Sequence, residues 1–153
     1  MQSVGGDSGS DAHVISTVMR LSGDTTCIAA ARRLAAEFLT RAGTEQHVAV
    51  SAHALGLTQL VVSELVTNAR RHAPGPAVME LRIAGSTVEV TVQDSVPVRP
   101  TIHASDPQRI GRHGLEIVAA VVEDFYVQLE PAGKRVTAHI ALTDSPAPRS
   151  QKP

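Results

Sequence analysis

Between Leu57 and His72 the chain reads as an amphipathic helix whose apolar stripe is interrupted by polar groups. At about 100° per residue, Leu57, Leu60, Val61, Glu64, Leu65, Asn68 and His72 fall in one sector, while Gln59, Ser63, Thr67, Arg70 and Arg71 point away. A carboxylate and a carboxamide four residues apart on a core-facing stripe are not what folding alone selects. Facing a cleft, the same pair can hold a water, a hydrated metal ion or a polar ligand. Pro74-Gly75-Pro76 ends this helix near Ala73. Before it, Val14 to Leu21 suits a strand, and Thr25 or Thr26 caps a helix running to about Arg41, ahead of Gly43.

The period then changes from helix to strand. Met79, Leu81 and Ile83 alternate with Glu80 and Arg82, Gly85-Ser86 turns the chain, and Val88, Val90 and Val92 alternate with Glu89, Thr91 and Gln93. Counting on by two reaches Asp94, which places a second carboxylate at a strand end on the covered face. Periodicity lapses from Ser95 to His113, a stretch with three prolines whose length in a compact domain marks a functional loop or lid. Gly111-Arg112-His113-Gly114 opens a third helix, Leu115 to about Asp124. Two strands follow, about Phe125 to Leu129 and Arg135 to Leu142, joined by Pro131-Ala132-Gly133. The order β-α-α-β-β-loop-α-β-β predicts an α+β, two-layer sandwich, with three main helices on one face of a mixed, mostly antiparallel sheet.

Composition narrows the function classes. A chain of 153 residues with 42% hydrophobic and 19% charged residues has room for one domain with a real core. That domain is placed at 13–143, with the Gly- and Ser-rich 1–12 and the Pro-rich 144–153 expected to be flexible tails. A net charge of −1, no tryptophan and few aromatics disfavour a nucleic-acid role. Cys27 sits in an Ala-rich run and reads as a buried small residue. No leader and no apolar run of roughly 20 residues is visible, so a cytoplasmic protein without a membrane anchor is expected. The spacing of His47 and His53 does not suit zinc. Arg70 and Arg71 read as a solvated face without a catalytic role, and His72 either stands near the cleft beside Asn68 or closes the helix end.

A glycine-flanked loop entering a helix offers free backbone N–H groups and the positive end of the dipole, where a phosphate chain settles. Gly111 and Gly114 supply that feature. With the amide oxygen of Asn68 and the covered carboxylate of Asp94, the set suits a magnesium nucleotide. At this point the motifs resemble a known family. ELVTNARRHA resembles the N box, VTVQDSVP a degenerate G1 box and GRHGLEIV the G2 box of the GHKL (Bergerat-fold) ATPase and kinase superfamily, nearest to bacterial anti-sigma-factor serine/threonine kinases; the resemblance spans about 14–142.

The resemblance implies ATP and Mg2+ as cofactors. It assigns Asn68 to the metal, Glu64 to the role of general base, and Asp94 to the adenine amino group. His113, Gly114 and Leu115 would meet the phosphates, with Gly111 and Arg112 beside them. It also implies a STAS-type anti-anti-sigma protein as acceptor, a sigma factor or similar regulator as the sequestered partner, and a possible homodimer through the sheet. Two positions depart from the pattern. Val96 stands where a glycine is usual and would crowd the adenine edge. Lys134, in Gly133-Lys134-Arg135-Val136, replaces a threonine; it either approaches the nucleotide or reaches solvent, and its alternation with Val136 and Ala138 favours the first. Phosphoryl transfer to a partner is the leading expectation, and a non-catalytic, nucleotide-dependent binding module is the alternative. A detached histidine-kinase domain fits less well, because no helical hairpin presents a phosphoacceptor histidine.

Overall fold

A computed structural model describes residues 14–24, 26–72, 75–95, 115–131 and 133–143. The expected tails and most of the expected lid lie outside the described residues. Five strands, β1 (Ile15–Leu21), β2 (Ala77–Ala84), β3 (Thr87–Asp94), β4 (Asp124–Glu130) and β5 (Gly133–Ala141), form one sheet in the order β1-β2-β3-β5-β4. All four pairings are antiparallel. Helices α1 (Thr26–Glu45) and α2 (Ala52–His72) and the helical segment α3 (115–121) supply the second layer. This is the predicted α+β sandwich.

The strands alternate as the pattern requires. Ala77, Met79, Leu81 and Ile83 of β2, Val88, Val90 and Val92 of β3, and Val136, Ala138 and Ile140 of β5 are buried beneath the helices. Val118 of α3 joins the same core. The other face carries a polar ladder: Arg82 reaches Glu89 at 3.6 Å, and Glu89 meets the His139 Nε2 at 3.0 Å. Between β2 and β3 the chain reverses in two residues, Gly85 taking a φ of 65° that glycine adopts without strain.

Three boundaries differ from the expected ones, each for a local reason. The cap of α1 is Asp24, whose carboxylate accepts the Thr26 N–H at 3.1 Å and the Thr26 hydroxyl at 2.6 Å; Thr25 lies outside the described residues. Helix α1 passes through Gly43 to Glu45, and just beyond it His47, with a φ of 60°, lets the Ala42 carbonyl accept the N–H groups of both Gln46 and Val48. A lone glycine weakens a helix by only about 1 kcal/mol, less than the burial of the neighbouring Ala42 and Leu39 secures. The third helix stops at 121 and β4 takes Asp124, because the Glu123 N–H is already bound to the His139 carbonyl at 2.9 Å.

The cap yields a pH-dependent prediction. The Thr26 hydroxyl, and next the Thr26 N–H, hold the Asp24 pKa below the usual aspartate value. A depressed carboxylate stabilises the fold above its unfolded-state pKa, and that contribution is lost as pH falls through the folded-state value. Asp24→Asn is therefore expected to lower the urea midpoint at neutral pH, and the gap from wild type should close in acid, as pH falls below the ordinary aspartate range and through the lowered folded-state value. Midpoints measured at neutral and acid pH check it.

Candidate functional site

Two anchors set the course of α2 across the sheet. At its start the Ser51 hydroxyl accepts the Ala54 N–H at 2.9 Å, and the Ser51 N–H donates to the Leu142 carbonyl at 2.8 Å, just past the end of β5. At its other end Arg70 Nη2 donates to the Gly23 carbonyl at 2.9 Å, just past the end of β1. Leu21 of β1 pairs with Ala77 of β2, and Ala77 pairs with Asp94 of β3. The last turns of α2 therefore reach the sheet edge that holds Asp94 and the first residues of β5. Asn68, Asp94 and Lys134 therefore lie toward the same end of the sheet, with Glu64 one turn behind Asn68.

The covered face of α2 is rotated roughly a quarter turn from the predicted sector. Ala54, Thr58, Val61, Val62, Leu65, Val66, Asn68 and Ala69 are buried, while Leu57 and Glu64 are half-buried and Leu60 is exposed. The reason lies in α1. Arg32 of α1 donates to the Ser63 hydroxyl at 3.1 Å, and Gln59 donates to the Arg32 carbonyl at 3.1 Å. Those polar residues, read as solvent-facing, are half-buried and hydrogen-bond to a neighbouring helix. Arg70 is likewise corrected: it is half-buried and ties α2 to Gly23, whereas Arg71 is exposed as expected. The side chain of His72 lies outside the described residues.

Asn68 stays on the covered side, 5% exposed, and no described residue hydrogen-bonds its carboxamide. Its amide is not among the fully buried side-chain groups without a partner, so it keeps some access to the surface. Its oxygen is the kind of hard donor that magnesium accepts. Glu64 sits at the rim of the covered arc, open enough to meet an incoming group.

Asp94 is 3% exposed, on the buried face as the alternation predicted. Its Oδ1 accepts the Lys134 main-chain N–H at 3.0 Å, which joins the end of β3 to the start of β5. The glycine before Lys134 makes this junction possible. Gly133 has a φ of 153°, and a Cβ there would overlap the Asp94 carbonyl oxygen and lie 2.8 Å from its carbon. Gly133 was not among the expected site residues; a glycine opening a strand beside Lys134 was the only signal for it. The Lys134 side chain is half-buried on the helix-covered face. Burial pushes its pKa below the ordinary lysine value, and the negative charge of Asp94 offsets this only in part.

A stability prediction follows from the Asp94 bond. Asp94→Ala strips the acceptor from the Lys134 N–H and is expected to cost about 1–3 kcal/mol. Asp94→Asn keeps an acceptor of the same shape and should cost clearly less. Equilibrium urea unfolding of the two variants checks the order.

Of the remaining expected site residues, Leu115 packs against the core at the start of α3. Val96, Gly111, Arg112, His113 and Gly114 lie outside the described residues. Among the described residues, no helix is long and apolar enough to cross a membrane.

Asn68 of the N-box segment and Asp94 of the G1-like segment are both on the covered side of their elements. The family model for the histidine kinase-like ATPase domain matches residues 21–140. The chain belongs to this family. The match takes in α1, α2, β2, β3, β4 and all but the last residue of β5, and includes Glu64, Asn68, Asp94 and Lys134. ATP binding is accordingly the chemistry to which the histidine kinase-like ATPase domain points.

Among solved structures, the RsbU and RsbW domains of Rv1364c from Mycobacterium tuberculosis match with a TM-score of 0.63 and 18% identity. That match covers 86% of this chain and 33% of the other, so the chain spans about a third of its length. It supports the fold of the ATPase domain. The histidine kinase domain of the blue-light activated histidine kinase EL346 from Erythrobacter litoralis matches with a TM-score of 0.40 and 27% identity, over 58% of this chain and 45% of that one. No curated protein matches the sequence.

Proposed function

We propose that this histidine kinase-like ATPase domain is an ATP-binding regulator of the anti-sigma-factor serine/threonine kinase type. On this reading it transfers the γ-phosphoryl group of Mg-ATP to a hydroxyl of a STAS-type anti-anti-sigma protein, and it sequesters a sigma factor or similar regulator. The observation that supports the reading is that Asn68 on the covered side of α2 and the buried Asp94 carboxylate, both within the matched ATPase domain, lie toward the same end of the sheet.

Each residue has a defined task. Asp94 accepts the adenine amino group, and Gly133 keeps its backbone in register for doing so. Asn68 offers its side-chain oxygen to Mg2+, which when bound neutralises charge on the phosphates. Glu64 orients the acceptor hydroxyl and takes its proton as the new P–O bond forms; the bond between the γ-phosphorus and its bridging oxygen breaks, and ADP leaves. Gly111, Arg112, His113, Gly114 and Leu115 carry the phosphate contacts at the start of α3, and Val96 lies against the adenine edge.

The test has two parts. Calorimetric titration with ATP, with and without magnesium, is expected to give saturable binding that magnesium strengthens. Incubation with γ-labelled ATP and STAS-domain proteins is expected to label one of them. Absence of ATP binding overturns the whole reading. Binding without labelling of any acceptor overturns the kinase assignment in favour of a nucleotide-dependent binding module.

A further inference from the structure

Lys134 is the charged group at this edge that the proposed transfer does not use. It opens β5 directly after Gly133, its main-chain N–H is held on Asp94 Oδ1 at 3.0 Å, and its side chain shares the covered face with the buried Val136 and Ala138. Among the described residues, no carboxylate lies within ion-pair distance of its ammonium. A half-buried ammonium without a close partner is costly, and the depressed pKa of Lys134 reflects that cost. A ligand that brings an acceptor next to Asp94 relieves it.

We propose that Lys134 is a base-reading residue, whose ammonium donates to ring nitrogen N1 of adenine while Asp94 accepts from the neighbouring amino group. This rests on the ATP reading above and deepens it to the means of base selection. The donor–acceptor order decides the match. Along its edge adenine presents an N–H donor and then a ring-nitrogen acceptor, which meet a carboxylate and an ammonium in that order. Guanine presents the reverse, a carbonyl acceptor and then a ring N–H donor. In the same pose the carbonyl would face Asp94 and the N–H would face Lys134, leaving both protein groups opposed by their own kind. Because the Lys134 main chain is bound to the Asp94 carboxylate, the lysine side chain starts from a point next to that carboxylate.

The experiment titrates wild type and Lys134→Met with ATP, GTP and 1-deaza-ATP, which lacks only the N1 acceptor. Circular dichroism first establishes that the variant is folded; removing a half-buried charge favours this. Wild type is expected to bind ATP about 10–100-fold more tightly than 1-deaza-ATP, the range of a hydrogen bond from a charged donor. In Lys134→Met that ratio is expected to fall to about one, with ATP weakened to the level of the analogue. Equal binding of ATP and 1-deaza-ATP by wild type overturns the proposal and leaves the ATP reading intact, as does a ratio that survives in Lys134→Met. Failure of wild type to bind any of the three nucleotides overturns the ATP reading and the base-reading role with it.

Discussion

Glu64→Gln is expected to slow phosphoryl transfer by about 10²–10⁴-fold, the usual contribution of a general base, while nucleotide affinity stays within about twofold of wild type. The separation follows from position. Glu64 lies at the rim of the covered arc of α2, half-buried, one turn before Asn68 and apart from the Asp94 junction. An amide of the same size fits the same space, and its oxygen can still orient a hydroxyl but cannot take the proton. Single-turnover transfer to the partner reads the loss, and calorimetry reads the unchanged affinity. Equal transfer rates in the variant and wild type would remove Glu64 from the mechanism. Parallel losses of affinity and rate would give it a binding role.

Gly133→Ala should destabilise the domain by about 2–5 kcal/mol, through backbone strain and overpacking combined. A methyl group there overlaps the Asp94 carbonyl oxygen and comes within 3.0 Å of Asp94 Oδ1, so either β5 retreats from β3 or the end of β3 moves. Both responses break the Lys134 N–H bond to Asp94. Gly85→Ala provides the comparison: it too has a positive φ, 65°, but nothing lies within 4 Å of its Cβ position. That substitution carries only the left-handed backbone cost of about 1–2 kcal/mol. Urea unfolding of the two variants isolates the crowding at Asp94. A Gly133→Ala variant no less stable than Gly85→Ala would mean that the junction yields without cost. Against a typical total stability of about 5–15 kcal/mol, the expected loss is large enough to shift the unfolding midpoint well outside experimental error.

The extent to which the site could be read in the chain differs from residue to residue. Asp94 was legible because a strand repeats every two residues: once Val88, Val90 and Val92 are inward, so is the fourth member of the series. Asn68 was legible as a polar group on an apolar stripe, and it is buried. Glu64 was placed on the same stripe but sits at its rim, because the helical pattern could not register that α1 hydrogen-bonds Gln59 and Ser63. Lys134 was assigned to the covered face by alternation, and its half-burial agrees. Gly133 carried no comparable signal. Its role rests on the contact between two strands 40 residues apart along the chain, which no local pattern encodes.

The sequence by itself determined the alternation of the strands, the order of the elements and hence the two-layer α+β sandwich, and the N-box, G1-like and G2-like segments behind the GHKL resemblance. These are local properties: period, turn residues and short motifs act over a few positions along the chain. Only the tertiary structure decided which arc of α2 faces inward, that α1 runs through Gly43 to Glu45, and that Arg70 anchors α2 to Gly23. It also decided that the Lys134 main-chain N–H is held on Asp94, at the end of the sheet toward which Asn68 lies. The physical reason is that each of these is set by a surface from another part of the chain, where burial and hydrogen bonding outweigh the preferences of the local segment.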